Sequence, residues 1–168
     1  MIRSFGGKTP RIADSAFVSE AAYIIGDVEI GENSSIWPGA VIRADFASIR
    51  IGSGTLIEDN AVLHAGVPME IGDNVIMGHG VVMHGTKIGN TTLIGNNATV
   101  LENTRIGDRC VISAGSLVSP GMVVPDNSFI SGVPGRIKGL ATAEQLEWIE
   151  RGTRTYQDLA RRYKEEGY

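Results

Sequence analysis

The stretch Ile88-Gly89-Asn90-Thr91-Thr92-Leu93-Ile94-Gly95-Asn96-Asn97-Ala98-Thr99-Val100-Leu101-Glu102-Asn103-Thr104-Arg105-Ile106-Gly107-Asp108 repeats itself every six residues. An aliphatic side chain stands at Ile88, Ile94, Val100 and Ile106. Glycine often follows it, and a small residue (Thr92, Ala98, Thr104) sits four places on. Downstream the count continues through Ile112, Val118, Val124 and Ile130. Upstream it runs through Ile12, Val18, Ile24, Ile30, Ile36 and Ile42, then Ile51, Ile57 and Leu63, then Ile71, Met77 and Met83. Three steps depart from six: nine residues from Ile42 to Ile51, eight from Leu63 to Ile71, and five from Met83 to Ile88.

A period of six fits neither an α-helix at 3.6 nor a long strand at 2.0. It fits a short strand and a turn, repeated, with one large side chain per strand pointing inward. Three such faces close a triangular coil of about eighteen residues, and coils stack at the sheet spacing of ~4.8 Å. The predicted fold is therefore an all-β parallel coil whose aliphatic residues form continuous ladders. The 22 glycines and the aromatic content of only 6% fit a backbone that turns often and tightly. From about Ala141 the period breaks. Thr142-Ala143-Glu144-Gln145 reads as a capping box. Leu146, Ile149, Tyr156, Leu159 and Tyr163 then share one helical face, with Gly152 a candidate interruption. The expected organisation is a single domain, with the coil over residues 1–140 and a helix over 141–168 braced along it.

The 168 residues suffice for a sizeable core. A net charge of −4 argues against nucleic acid, which needs a basic face. No apolar run approaches the ~20 residues of a membrane span. Met1 to Pro10 lacks an apolar signal core. Cys110 is alone, so no disulfide can form within the chain. These features predict a cytoplasmic protein.

The repeat also gives each residue a coordinate. Let the strand at Ile42 lie on face A, at Ile51 on face B and at Ile57 on face C. Leu63 returns to A, Ile71 to B, Met77 to C and Met83 to A. His64 and His84 each follow an inward residue of face A, so they stack on consecutive coils, within ~5 Å. Arg43 lies one rung below and Leu101 one rung above. His79 is the third residue of face C, and it cannot easily meet the other two within one chain. It can do so where face A of one subunit meets face C of the next, a contact that closes a ring and suits a homotrimer. Glu58 and Asp59 lie on face C one coil before His79. The chain's only three histidines thus form a candidate intersubunit metal site. Neutral imidazoles suit Zn2+, and also Fe2+ or Co2+. Three protein ligands leave a fourth position open, the catalytic rather than the structural arrangement.

At these residues the sequence resembles the γ-class carbonic anhydrases and their bacterial relatives, a branch of the hexapeptide-repeat proteins. The resemblance runs from about Ile12 to the tail. It rests on Ile36-Trp37-Pro38-Gly39-Ala40-Val41-Ile42-Arg43-Ala44-Asp45, on Ile57-Glu58-Asp59-Asn60-Ala61-Val62-Leu63-His64, and on Gly78-His79-Gly80-Val81-Val82-Met83-His84-Gly85. It implies a left-handed coil, with His64, His79 and His84 as zinc ligands and the middle one supplied by the neighbouring subunit. It further implies Arg43, Asp45, Glu58 and Asp59 as catalytic residues. Asp45 and Glu58 would orient the attacking hydroxide, and Arg43 would pair with Asp59 across the interface. Glu58 replaces the family's glutamine and Leu56 a neighbouring asparagine. The family's acidic shuttle loop is absent: Ala65-Gly66-Val67-Pro68-Met69 is short and uncharged, with Glu70 the nearest carboxylate. Ile130 to Pro134 lacks the tyrosine and asparagine found there in the archetype.

The implied activity is hydration of CO2 to bicarbonate by a metal-bound hydroxide. The competing readings are acyl transfer from CoA on the same fold, metal-dependent hydrolysis of thioesters or small esters, and a non-catalytic metal-binding scaffold.

Overall fold

Parallel pairing carries each inward aliphatic onto the next in three unbroken ladders. On face A the register is Ile24, Ile42, Leu63, Met83, Val100 and Val118. On face B it is Ile30, Ile51, Ile71, Ile88, Ile106 and Val124. On face C it is Val18, Ile36, Ile57, Met77, Ile94, Ile112 and Ile130. The predicted period is therefore the observed register, residue for residue. The computed structural model describes residues 1–64 and 66–168. The chain is a left-handed parallel β-helix with one C-terminal α-helix.

Side-chain size explains the period. The ladder residues from Ile24 onward are almost wholly buried, and each such side chain contributes roughly 1.5–3 kcal/mol. The small residues four places on are buried too, at the inside of the corners. There the Ser34 and Thr55 hydroxyls donate to the Gly52 and Gly72 carbonyls of the following coil, at 2.7 and 2.8 Å. Glycine after the inward residue reflects close coil stacking: a Cβ on Gly89 would come 2.5 Å from the Asp108 nitrogen. Asn33, Asn60, Asn74, Asn97, Asn103 and Asn127 take left-handed backbone at the turns, a conformation asparagine tolerates best after glycine.

The nine-residue step has its own outcome. Strands Tyr23–Ile30 and Val41–Ile51 run unbroken around the corner from face A to face B, joining those faces into one twelve-stranded sheet. Their pairing slips between Gly26 and Val28. Asp45 lies opposite that slip.

Helix α1 (Ala143–Glu166) begins with the predicted capping box. The Gln145 N–H donates to Thr142 Oγ1 at 3.2 Å and the Thr142 N–H to Gln145 Oε1 at 2.8 Å. Gly152 does not interrupt the helix. Its missing side chain makes room for Ile76, whose Cδ1 would lie 3.0 Å from a Cβ there. The helix covers the outside of face C through a second apolar cluster of Phe17, Trp37, Leu56, Ile76, Val111, Leu146, Ile149 and Ala160. Trp37 meets Tyr156 and Tyr163 edge-on, with centroids 5.5 and 5.2 Å apart. Leu56 is buried under this helix rather than beside the histidines.

Candidate metal centre

On face A, Arg43 and His64 are paired residues of adjacent strands. His84 follows one coil later, its N–H donating to the Val100 carbonyl at 2.8 Å. The two imidazoles stack as the register predicts, with centroids 5.2 Å apart. His64 Nδ1 and His84 Nε2 lie 3.2 Å apart. That is close to the ~3.4 Å expected along the edge of a tetrahedron with ligands at ~2.1 Å, so the pair fits two positions on one zinc ion. Each remaining ring nitrogen faces a carboxylate. His64 Nε2 is 3.1 Å from Asp45 Oδ1, and His84 Nδ1 is 3.3 Å from Glu102 Oε1.

Asp45 is also bound by the Arg43 guanidinium. Burial pushes the Asp45 carboxyl up, but hydrogen bonds from Arg43 and His64 outweigh that effect and hold it below its ordinary value. It is therefore an anionic acceptor at neutral pH. Phe46, the next residue, lies edge-on to His64 with centroids 5.7 Å apart and is 76% exposed.

His79 sits in the turn between strands Ile76–Met77 and Val82–Met83 on face C. The next coil anchors it. The His79 N–H donates to Asn96 Oδ1 at 3.1 Å, and the Asn97 N–H donates to the His79 carbonyl at 2.8 Å. The side chain is about half exposed, with Nδ1 3.1 Å from Asp59 Oδ2 and Nε2 3.3 Å from Glu58 Oε2. Glu58 itself is buried. Among the described residues, no three His, Cys, Asp or Glu side chains of one chain gather where a metal could be held. One chain thus brings together His64, His84, Arg43 and Asp45 in one group and His79, Glu58 and Asp59 in another. Arg43 is engaged by Asp45 and Asp59 by His79, and among the described residues Arg43 and Asp59 form no ion pair within one chain.

Two neighbours of the site escaped the sequence reading. The phenol of Tyr156 on α1 lies against Glu58. Burial, reinforced by the Glu58 carboxylate, pushes it up to about 12, so it stays a protonated donor at neutral pH. No period links the tail to a rung of the coil, so no sequence signal placed it there. Glu102 follows Leu101 at the top of the histidine ladder, and extending that ladder by one residue would have found it. Glu70 stands on face B, in register between Arg50 and Lys87, away from the histidines' face. Of the uncharged segment 65–69, Ala65 lies outside the described residues and Met69 is fully buried.

The family model "Bacterial transferase hexapeptide (six repeats)" matches residues 9–44 and 85–120. The "Probable carbonic anhydrase" of Methanocaldococcus jannaschii is 41% identical over 89% of this chain and 95% of its own. "Gamma carbonic anhydrase 1, mitochondrial" of Arabidopsis thaliana is 36% identical over 95% of this chain. The chain spans 61% of the length of that relative and 58% of a second from the same plant. Among solved structures, a "putative acetyltransferase" from Bacillus cereus superposes with a TM-score of 0.94 at 36% identity, covering 98% of this chain and 96% of that one. Among the described residues no helix is long and apolar enough to cross a membrane.

Proposed function

This chain belongs to the γ-class carbonic anhydrase-like family of hexapeptide-repeat proteins, and on that premise we propose that it hydrates CO2 to bicarbonate at a metal site shared between neighbouring copies of a homotrimer. The observation that carries the reading is the His64–His84 pair, with two ring nitrogens 3.2 Å apart, the outer nitrogen of His64 bonded to Asp45 and that of His84 facing Glu102. His79, on another face, is the third ligand and comes from the adjacent copy. Zn2+ is the first choice, with Fe2+ or Co2+ as alternatives. An apolar stripe beside the histidine ladder supports association: Tyr23, Val62 and Val82 lie in register with Val41 on face A and are all partly exposed. The cytoplasm is the setting in this reading, a reducing compartment in keeping with the single buried Cys110 thiol.

A bound divalent metal would supply Lewis acidity, lowering the pKa of a water in its open position toward ~7. The rest falls to side chains. Asp45 and Glu58 accept hydrogen bonds from the attacking water and aim its lone pair at the carbon of CO2, and Glu58 takes up the proton released as bicarbonate forms and passes it on to solvent. Arg43 holds Asp45 in place. Tyr156, a protonated phenol beside Glu58, limits the directions that carboxylate can take. Phe46 screens the His64 side of the site from solvent. Replacing Tyr156 with Phe removes the polar group beside the Glu58 carboxylate. The expected result is a fall in hydration rate of about tenfold, with metal content retained. An unchanged rate would remove Tyr156 from the site.

The test is a stopped-flow CO2 assay on zinc-loaded protein against the His79→Ala variant. A large excess of wild-type activity is expected, and equal rates would overturn the enzymatic reading. The likeness to the Bacillus cereus structure favours a second reading, acyl transfer from CoA. A thermal shift that responds to chelator and not to CoA separates the two.

A further inference from the structure

Counting protons along the histidine pair exposes a role for Glu102. Four ring nitrogens lie in sequence between two carboxylates. Asp45 Oδ1 is 3.1 Å from His64 Nε2, His64 Nδ1 is 3.2 Å from His84 Nε2, and His84 Nδ1 is 3.3 Å from Glu102 Oε1. A carboxylate only accepts, so the Asp45 contact fixes the His64 proton on Nε2, and the 3.2 Å contact between the rings then needs the His84 proton on its Nε2. That tautomer leaves His84 Nδ1 a bare lone pair facing Glu102, and this nitrogen is indeed buried with no hydrogen-bond partner. A cation held between the two inner nitrogens needs the opposite tautomer, with the His84 proton moved to Nδ1 and facing Glu102.

We propose that Glu102 is a positioning residue for metal capture: it accepts the His84 Nδ1–H and thereby keeps the Nε2 lone pair directed at the metal. The inference rests on the metal reading above, and it makes Glu102 the counterpart of Asp45 on the second histidine. The carboxylate sits on a fixed turn between strands Thr99–Val100 and Arg105–Ile106. The Gly121 N–H donates to the Glu102 carbonyl at 2.8 Å, and Thr104 Oγ1 donates to the Leu101 carbonyl at 2.6 Å. Asn103 supplies the left-handed residue of the turn. Among the described residues, His84 is the one ion-pair partner of Glu102, so the side chain is not engaged in a surface salt bridge to Lys or Arg. Without this acceptor nothing favours the Nδ1–H tautomer, and His84 keeps its proton on Nε2, where it cannot ligate.

The test uses the full chain, stripped of metal and titrated with Zn2+ against a chromophoric chelator, in wild type, Glu102→Ala, Glu102→Gln and His84→Ala. Glu102→Ala should bind Zn2+ about 10–100-fold more weakly than wild type. Glu102→Gln, whose amide oxygen still accepts, should recover most of the loss. The melting temperature of metal-free Glu102→Ala should equal or exceed that of wild type, because no carboxylate then faces the unpartnered His84 Nδ1; a purely structural residue would lower it. The Co2+ form gives a second readout, its visible absorption bands changing in Glu102→Ala and returning in Glu102→Gln. Wild-type affinity in Glu102→Ala, with wild type itself binding Zn2+ and His84→Ala not, would overturn this inference alone. Failure of wild type to bind any better than His84→Ala would overturn the metal reading and this inference together.

Discussion

Mixing two inactive variants should restore activity. His64→Ala and His79→Ala are each expected to lose metal binding and CO2 hydration almost completely, since each removes one of three ligands from every site. A head-to-tail trimer, as proposed, would build each site from His64 and His84 of one copy and His79 of the next. A site is intact when its first copy carries His79→Ala and its second carries His64→Ala, because neither then contributes a damaged ligand. Random assembly from equal amounts leaves about a quarter of the sites whole. Co-expression with two affinity tags, isolation of mixed oligomers, and measurement of zinc content and stopped-flow hydration together decide the matter. A site contained in one chain predicts no recovery at any mixing ratio, and that result would remove the shared-site reading. The separation of His79 from the His64–His84 pair within one chain makes the experiment decisive.

Gly26→Ala should be the most damaging single methyl added to the coil. Gly26 has a φ of 87° and pairs with Ala44 across the slip where two strands round the corner from face A to face B. The left-handed backbone costs a non-glycine residue about 1–2 kcal/mol. The new Cβ would also be driven into the Ala44 carbonyl, so the strands must part at that point. Asp45 is the next residue, and it is the group that orients His64. Gly26→Ala should therefore lower both the melting temperature and zinc affinity. Ile112→Ala is the control. It opens a cavity in the same core, at a fully buried position remote from the histidines, and should cost about 2–5 kcal/mol while leaving zinc affinity unchanged. Equal zinc affinity in Gly26→Ala and wild type would show that Asp45 tolerates movement of its strand.

How much was legible in the sequence depended on whether an interaction is periodic. Every inward aliphatic from Ile24 to Ile130 could be placed on its face, because a coil with one large residue per strand has no other register that buries them all. The stacking of His64 on His84 and the separation of His79 follow from that same count. The three irregular steps were visible as well, but not what the chain does in them. Only the folded molecule shows Val41–Ile51 running on around a corner and setting Asp45 against His64.

The tail was legible as a helix and not as a neighbour of the site. Its capping box and apolar face are local features. Its position along face C depends on how Trp37, Leu56 and Ile76 pack against it, and packing between distant segments leaves no spacing signal. That contact carries Tyr156 to Glu58, and it moves Leu56 from the expected surroundings of the metal to the floor beneath the helix. Glu102 and Glu70 make the same point in opposite directions. Both are carboxylates close in sequence to the histidine ladders, yet the turn after Val100 aims one at His84, while the corner before Ile71 carries the other to face B. The sequence by itself determined the coil, its register and the rungs of the three histidines, because burial with a fixed period admits one solution. Only the tertiary structure decided which carboxylates and which phenol surround them, because that depends on where turns and a packed helix bring side chains that no period connects.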